Sequence, residues 1–178
     1  MMKRVILHGN SKSNKEWSEK TAGTFSEFFP DQYIQAYSHW EEGKEIIDFD
    51  VESRKLEKNI GEGKFSIIAK SAGAMLTIYS VSKGLINPEK CVFLGLPVLW
   101  ADEHNFNLRD WFLKFNNQTL VIQNSNDPLT SYSELKKFVD DASLHHTLTL
   151  IETEGNDHKY NEKEKIKKLV NNFLAAQP

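Results

Sequence analysis

Cysteine is nearly absent: Cys91 is the single one in 178 residues. That excludes an internal disulfide and any cysteine-rich zinc module. An excess of charge is missing too, since 22 Lys and Arg stand against 25 Asp and Glu, a formal net charge of −3. Such a balance lacks the basic footprint of a general nucleic-acid binder. Neither Gly-x-x-x-x-Gly-Lys-Ser/Thr nor Gly-x-Gly-x-x-Gly occurs, so phosphate-loop and dinucleotide binding have no support. No His-x-x-x-His or carboxylate–histidine grouping has metal-ligand spacing. Neither a metal nor another cofactor is therefore expected. The apolar run at the start, Val5-Ile6-Leu7, stops at His8, too short for a signal core or a membrane span. The expectation is a soluble, cytoplasmic protein with no nucleic-acid or membrane partner, a monomer or small homo-oligomer.

What is present suits one globular domain over residues 1–178. Hydrophobic residues make up 39% and charged residues 26%, and a chain of this length buries enough surface for one substantial core. No repeat, linker or low-complexity tract divides it. Short apolar runs occur at Arg4–Leu7, Tyr33–Tyr37, Phe65–Ala69, Cys91–Leu94, Leu120–Ile122 and Thr147–Ile151. The first five have apolar residues side by side, as strands buried on both faces do. The last alternates, which suits an edge strand. Between them lie segments of helical period: Trp17, Thr21, Phe25 and Phe28; Leu135, Phe138 and Val139; and Ile166, Leu169, Val170, Phe173 and Leu174. Lys44 to Ile60 is a weaker amphipathic stretch. Ser131 or Ser133 is placed to cap the helix of Leu135, and Asn161 the last one. This alternation predicts an α/β fold, a doubly wound, mostly parallel sheet of about six strands with helices on both faces. In such sheets ligands bind at the carboxyl ends of the strands.

The third strand runs out through Ala69-Lys70-Ser71-Ala72-Gly73 into a helix. A serine with a small residue two before and two after it, at a strand-to-helix turn, is the nucleophile-elbow pattern. The turn is so tight that larger side chains at 69 and 73 would collide with neighbouring elements. Ser71 as an ordinary N-cap at an unremarkable turn fits the same five residues. Later strands end in Asn124-Ser125-Asn126-Asp127-Pro128-Leu129 and in Gly155-Asn156-Asp157-His158.

Serine, aspartate and histidine in that chain order, each at a strand end, resemble the α/β-hydrolase superfamily. The likeness spans almost the whole chain and includes His8-Gly9-Asn10, which resembles the family's His-Gly-x loop. Ala69 stands where the family usually has glycine. The resemblance implies Ser71 as nucleophile, His158 as general base and then acid, and Asp127 as the residue orienting the imidazole. It implies an oxyanion hole from the backbone N–H groups of Asn10 and Ala72, with Gly9 serving the turn. It further implies an acyl-enzyme and a small-molecule ester or thioester as substrate. A catalytically silent scaffold that binds a ligand or protein, and a small serine peptidase, are the alternatives. A flavodoxin-like domain with Ser71 as a mere cap would hold Ser71 and His158 far apart.

Other candidates are weighed against these. Asp157 is adjacent to His158, where side chains usually diverge; Asp102 is the second choice for the acid; Asp48 and Asp50 read as solvated helix surface. His8 reads as structural, His145-His146 as surface, Cys91 as a small hydrophobe, and Gly61-Glu62-Gly63 as a helix-ending turn. Between the fourth strand and the next helix only Leu96–Asp110 is available, a loop and no lid domain. The antiparallel hairpin that often precedes the family's first strand is expected to be missing. His39, Trp40, Trp100 and Phe106 are the candidate pocket residues, suited to a small apolar group. Trp111, Phe112 and Phe115 read better as the core face of a helix.

Overall fold

The computed structural model describes residues 2–161 and 163–175. Its strands are β1 Lys3–Leu7, β2 Gln32–Ile34, β3 Phe65–Lys70, β4 Cys91–Leu94, β5 Thr119–Asn124 and β6 Leu148–Thr153. They form a six-stranded sheet in the order β2-β1-β3-β4-β5-β6, and all five pairings are parallel. The helices are α1 Lys15–Phe25, α2 His39–Glu42, α3 Phe49–Ile60, α4 Ala72–Ser82, α5 Val98–Glu103, α6 Leu108–Phe112, α7 Tyr132–Asp141 and α8 Lys163–Ala175. No helix among the described residues is long and apolar enough to cross a membrane.

Period-two side-chain alternation splits each central strand between two cores. Val5, Leu7, Ile67, Ala69, Phe93 and Val121 face a large core with α3, α4, α6 and α7. Ile6, Ile68, Val92, Leu94, Leu120 and Ile122 face a smaller one with Trp17 and Phe25 of α1 and Ile166 and Val170 of α8. Helices thus cover both faces of the sheet. That explains the near-continuous apolar strands and leaves the alternating β6 at an edge.

Local chemistry fixes several element ends. Ser131 heads α7 with a reciprocal capping box to Glu134. Asp48 caps α3 through Val51 N–H, and Gly61, at φ 68°, ends it. The start of α8, where Asn161 is expected to cap, adjoins Glu162, which lies outside the described residues.

Three expectations are corrected. The second strand stops at Ile34, because Tyr37 leaves the ladder to bury its ring and donate its hydroxyl to His8 O at 2.8 Å. Phe28 lies beyond α1 in a turn and is exposed, its place in the core being taken by Phe25. The stretch Leu96–Asp110 is no simple loop; it contains α5 and the start of α6, and Trp100 of α5, Phe106 between the helices and Trp111 of α6 pack on the large core.

Successive connections leave β1 first toward β2 and then toward β3, so the winding reverses at the β1/β3 junction. That switch point opens a crevice at the carboxyl ends of the strands. The His8-Gly9-Asn10 segment and Ser71 stand on its two sides.

Candidate active site

Ser71 sits at φ 53°, ψ −121°, between β3 and α4. A non-glycine residue rarely holds such a backbone, which costs about 1–3 kcal/mol. The turn is pinned by Ser71 N–H donating to Leu94 O at 3.0 Å, which continues the β3–β4 ladder past its end. Crowding accounts for the small neighbours. A Cβ on Gly73 would lie 2.8 Å from both His8 O and Leu7 Cβ, and Ala69 is fully buried in the sheet. The Ser71 side chain makes no capping hydrogen bond to α4, contrary to the plain helix-cap reading. The positive dipole end of α4 is thus left without a side-chain cap from Ser71.

Asp127, in the loop after β5, is buried and fully sequestered at its side chain. Its carboxylate accepts from His158 Nδ1 at 2.7 and 3.0 Å. Tyr160 donates its hydroxyl to the same carboxylate at 2.6 Å, and Leu129 N–H donates at 2.9 Å. A carboxylate held by three donors is fixed in place. His158 Nδ1 is thus engaged, while its Nε2 is buried and has no hydrogen-bond partner among the described residues, Ser71 Oγ included. His158 and Ser71 nevertheless line one cavity of 180 Å³, with Asn10, Ala72, Trp100 and Leu129 also in its wall. Serine–histidine contacts of this kind are often long before substrate arrives.

The rejected acids lie elsewhere. Asp157 turns to accept from Lys159 N–H, Asp102 is exposed on α5, Asp50 accepts from Tyr79 OH, and Asp48 caps α3. His145 pairs with Asp140 on the surface. Cys91 is buried in β4, where desolvation pushes its thiol pKa well up.

Asn10 is held from three sides. Its Nδ2 donates to Glu45 O at 2.7 Å and its Oδ1 accepts from Ile47 N–H at 2.8 Å. Its carbonyl accepts from Trp40 Nε1 at 2.7 Å and meets His39 Nε2 at 3.0 Å. His39 and Trp40 therefore stand behind the loop and set the Asn10 peptide; contrary to the expectation from the sequence, they are not among the residues lining the Ser71 cavity. Phe106 is also displaced, to a separate 470 Å³ groove with Phe49, Tyr79 and Trp111. Of the four candidate pocket residues, Trp100 alone reaches the cavity wall. His8 is structural: its Nδ1 meets Gly9 O at 3.0 Å and its ring stacks 4.3 Å from Trp40. Burial lowers its pKa to about 4.

Solved structures bear the same architecture. Est1E of Butyrivibrio proteoclasticus matches with a TM-score of 0.73 at 10% identity, over 98% of this chain and 87% of that one. An esterase from Pyrococcus furiosus matches at 0.72 and 15% identity, over 98% and 81%. The chain has the α/β-hydrolase fold. Acyl-protein thioesterase 2 of Zea mays has it too, with a TM-score of 0.60 at 15% identity over 98% of this chain and 93% of that one. No protein-family model matches the sequence, and no curated protein does.

Within this α/β-hydrolase fold several supporting residues carry no motif. Gly95, after β4, has φ 65°, and a Cβ there would meet Tyr160 Cε2 at 2.5 Å and His158 Cε1 at 2.7 Å. Gln123, fully buried, accepts from Leu96 N–H at 2.9 Å and donates to Thr130 O, tying the β4 loop to the Asp127 loop. Asn124 donates to Asp157 O at 2.8 Å and ties the Asp127 loop to the His158 loop. Glu52, buried in α3, accepts from Ser38 N–H at 2.6 Å and so anchors the segment carrying His39 and Trp40. Nothing local in the sequence marks Glu52 for this role.

Proposed function

We propose that this protein is a serine hydrolase that cleaves an ester or thioester of small to medium size through an acyl-enzyme on Ser71. The observation that carries the reading is His158, oriented by Asp127 with its free Nε2 buried beside the cavity that Ser71 lines. A serine hydroxyl needs such a base to act as a nucleophile. His158 Nε2 takes the Ser71 proton as Oγ attacks the carbonyl carbon, and Asp127 steadies the resulting imidazolium. The carbonyl oxygen gains negative charge and is met by the N–H groups of Ala72 and Asn10. Both belong to preorganised backbone: one heads α4, the other is braced by Glu45, Ile47, His39 and Trp40. His158 then gives its proton to the departing alcohol or thiol. A water, deprotonated by the same nitrogen, releases the acid and restores Ser71.

Hydrolysis of p-nitrophenyl esters of increasing acyl length tests this. Short acyl groups should be turned over fastest, because the cavity is 180 Å³ and Leu96–Asp110 is too short to cover a long chain. Ser71→Ala and His158→Ala should each lose at least about 10³-fold in kcat. Activity that persists in either variant would overturn the assignment.

A further inference from the structure

A second cavity, of 310 Å³, adjoins the first, and Asn14 stands in the wall of both. Among the described residues its walls carry three ammonium groups, Lys20, Lys70 and Lys159, against one carboxylate, Glu16, which is already paired with Lys20 at 2.6 Å. Lys20 and Lys159 are exposed at the rim. Lys70 is different: it is 5% exposed, at the end of β3 immediately before Ser71. Its Nζ donates to Asn14 Oδ1 at 2.9 Å and lies 5.6 Å from the Trp17 ring centroid. Among the described residues no carboxylate forms an ion pair with it.

An ammonium has three donors, and Asn14 supplies a single neutral acceptor. A buried cation without an anionic partner is costly, and an apolar side chain would fill the site between Trp17 and the sheet at lower cost. Desolvation lowers the Lys70 pKa to about 8, although the more distant Asp127 and Asp157 favour its charge.

Resting on the hydrolase reading above, the geometry points to a substrate that bears an anionic group, carboxylate or phosphate, seated in the Lys70 cavity while its ester carbonyl lies at Ser71. Lys70 forms a charge-assisted hydrogen bond to that group, and Lys20 and Lys159 draw it in from solvent.

Matched esters test the preference on either side of the scissile bond. On the acyl side, p-nitrophenyl hexanoate is compared with the mono-p-nitrophenyl ester of adipic acid. On the leaving-group side, methyl 4-acetoxybenzoate is compared with 4-acetoxybenzoate and with 4-acetoxyphenyl phosphate, which separates carboxylate from phosphate. At least one anionic ester should exceed its neutral partner in kcat/KM by about 10-fold, the factor given by about 1.4 kcal/mol. That ratio should fall to near unity in Lys70→Met and by about threefold in Lys159→Ala, as expected for losing one exposed charge. Circular dichroism checks that each variant folds, and Lys159→Ala decides alone if Lys70→Met does not. Neutral esters matching or beating every anionic one, or a preference that survives in the folded variants, would overturn the proposal. If no ester is cleaved at all, the hydrolase reading has failed, and calorimetric titration with adipate still decides the anion site. Binding that is weakened in Lys159→Ala supports the site, and absence of binding contradicts it.

Discussion

Tyr160 and Asp127 share a 2.6 Å hydrogen bond in which the phenol donates to the same carboxylate oxygen that lies 2.7 Å from His158 Nδ1. The phenolic oxygen in turn accepts from Asn124 N–H at 3.0 Å. This chain of donors runs from the end of β5 to the imidazole. Tyr160 itself holds a left-handed backbone, φ 54°, to reach it. Burial, and then the charge of the Asp127 carboxylate, push the phenol pKa well up, so it remains a donor throughout the neutral range.

Tyr160→Phe removes one donor and leaves the packing of the ring. Losing a hydrogen bond to a buried charge should cost about 1.5–3 kcal/mol of stability. The slackened carboxylate should also lower kcat, by up to about 100-fold. Urea unfolding and ester kinetics on the same preparation check the two effects. Wild-type kcat in Tyr160→Phe would show that Leu129 and the loop fix Asp127 unaided.

Gly95→Ala probes the other side of His158. The new methyl would press on the imidazole and on Tyr160, while φ 65° adds strain for any residue with a Cβ. Activity should fall at least about 100-fold, with a stability loss of about 1–3 kcal/mol.

Gly73→Ala makes a different demand. Its Cβ would meet backbone atoms of Leu7 and His8 at 2.8 Å, and strand backbone cannot step aside as a flexible side chain can. A loss of about 1–3 kcal/mol, read by urea unfolding, is expected. Unchanged stability would contradict the packing argument for a glycine two residues after Ser71.

His8 gives a pH test. Burial among Tyr37 and Trp40 lowers its pKa to about 4, with the hydrogen bond to Gly9 and the charge of Glu52 opposing and His39 adding to the shift. Between pH 4 and 6.5 the unfolded chain binds more protons at this residue than the folded one. Stability from His8 is therefore complete above about 6.5 and lost as pH falls toward 4, by about 3 kcal/mol in all. Comparing urea midpoints across this range should show a steeper acid loss in the wild type than in His8→Gln. Parallel curves would contradict the assignment of a neutral, buried His8.

The strands, and the places of three polar residues at strand ends, are legible because each is signalled locally. β4 starts and stops where its apolar run does, and Ser71, Asp127 and His158 each follow a strand in sequence. Residues that act through long-range contact carry no such mark. Tyr160 meets Asp127 across 33 positions, and Glu52 meets Ser38 across 14. His39 and Trp40 were misplaced into the pocket for the same reason. Their position after β2 puts them near the crevice, but the carbonyl of Asn10 lies between them and its space. Phe106 was drawn away by Phe49 and Trp111, whose rings lie 5.0 and 6.0 Å from it. Lys70, next to Ser71 in sequence, carries no mark of its burial beside Trp17.

The central claim is that Ser71 is the nucleophile, and a fluorophosphonate addresses it without knowledge of the substrate. Treated protein, digested and examined by mass spectrometry, should carry one phosphonyl group on the peptide containing Ser71. Ser71→Ala should carry none, and His158→Ala should label at least about 10³-fold more slowly. An adduct on any other serine, or labelling undiminished in Ser71→Ala, would contradict the account.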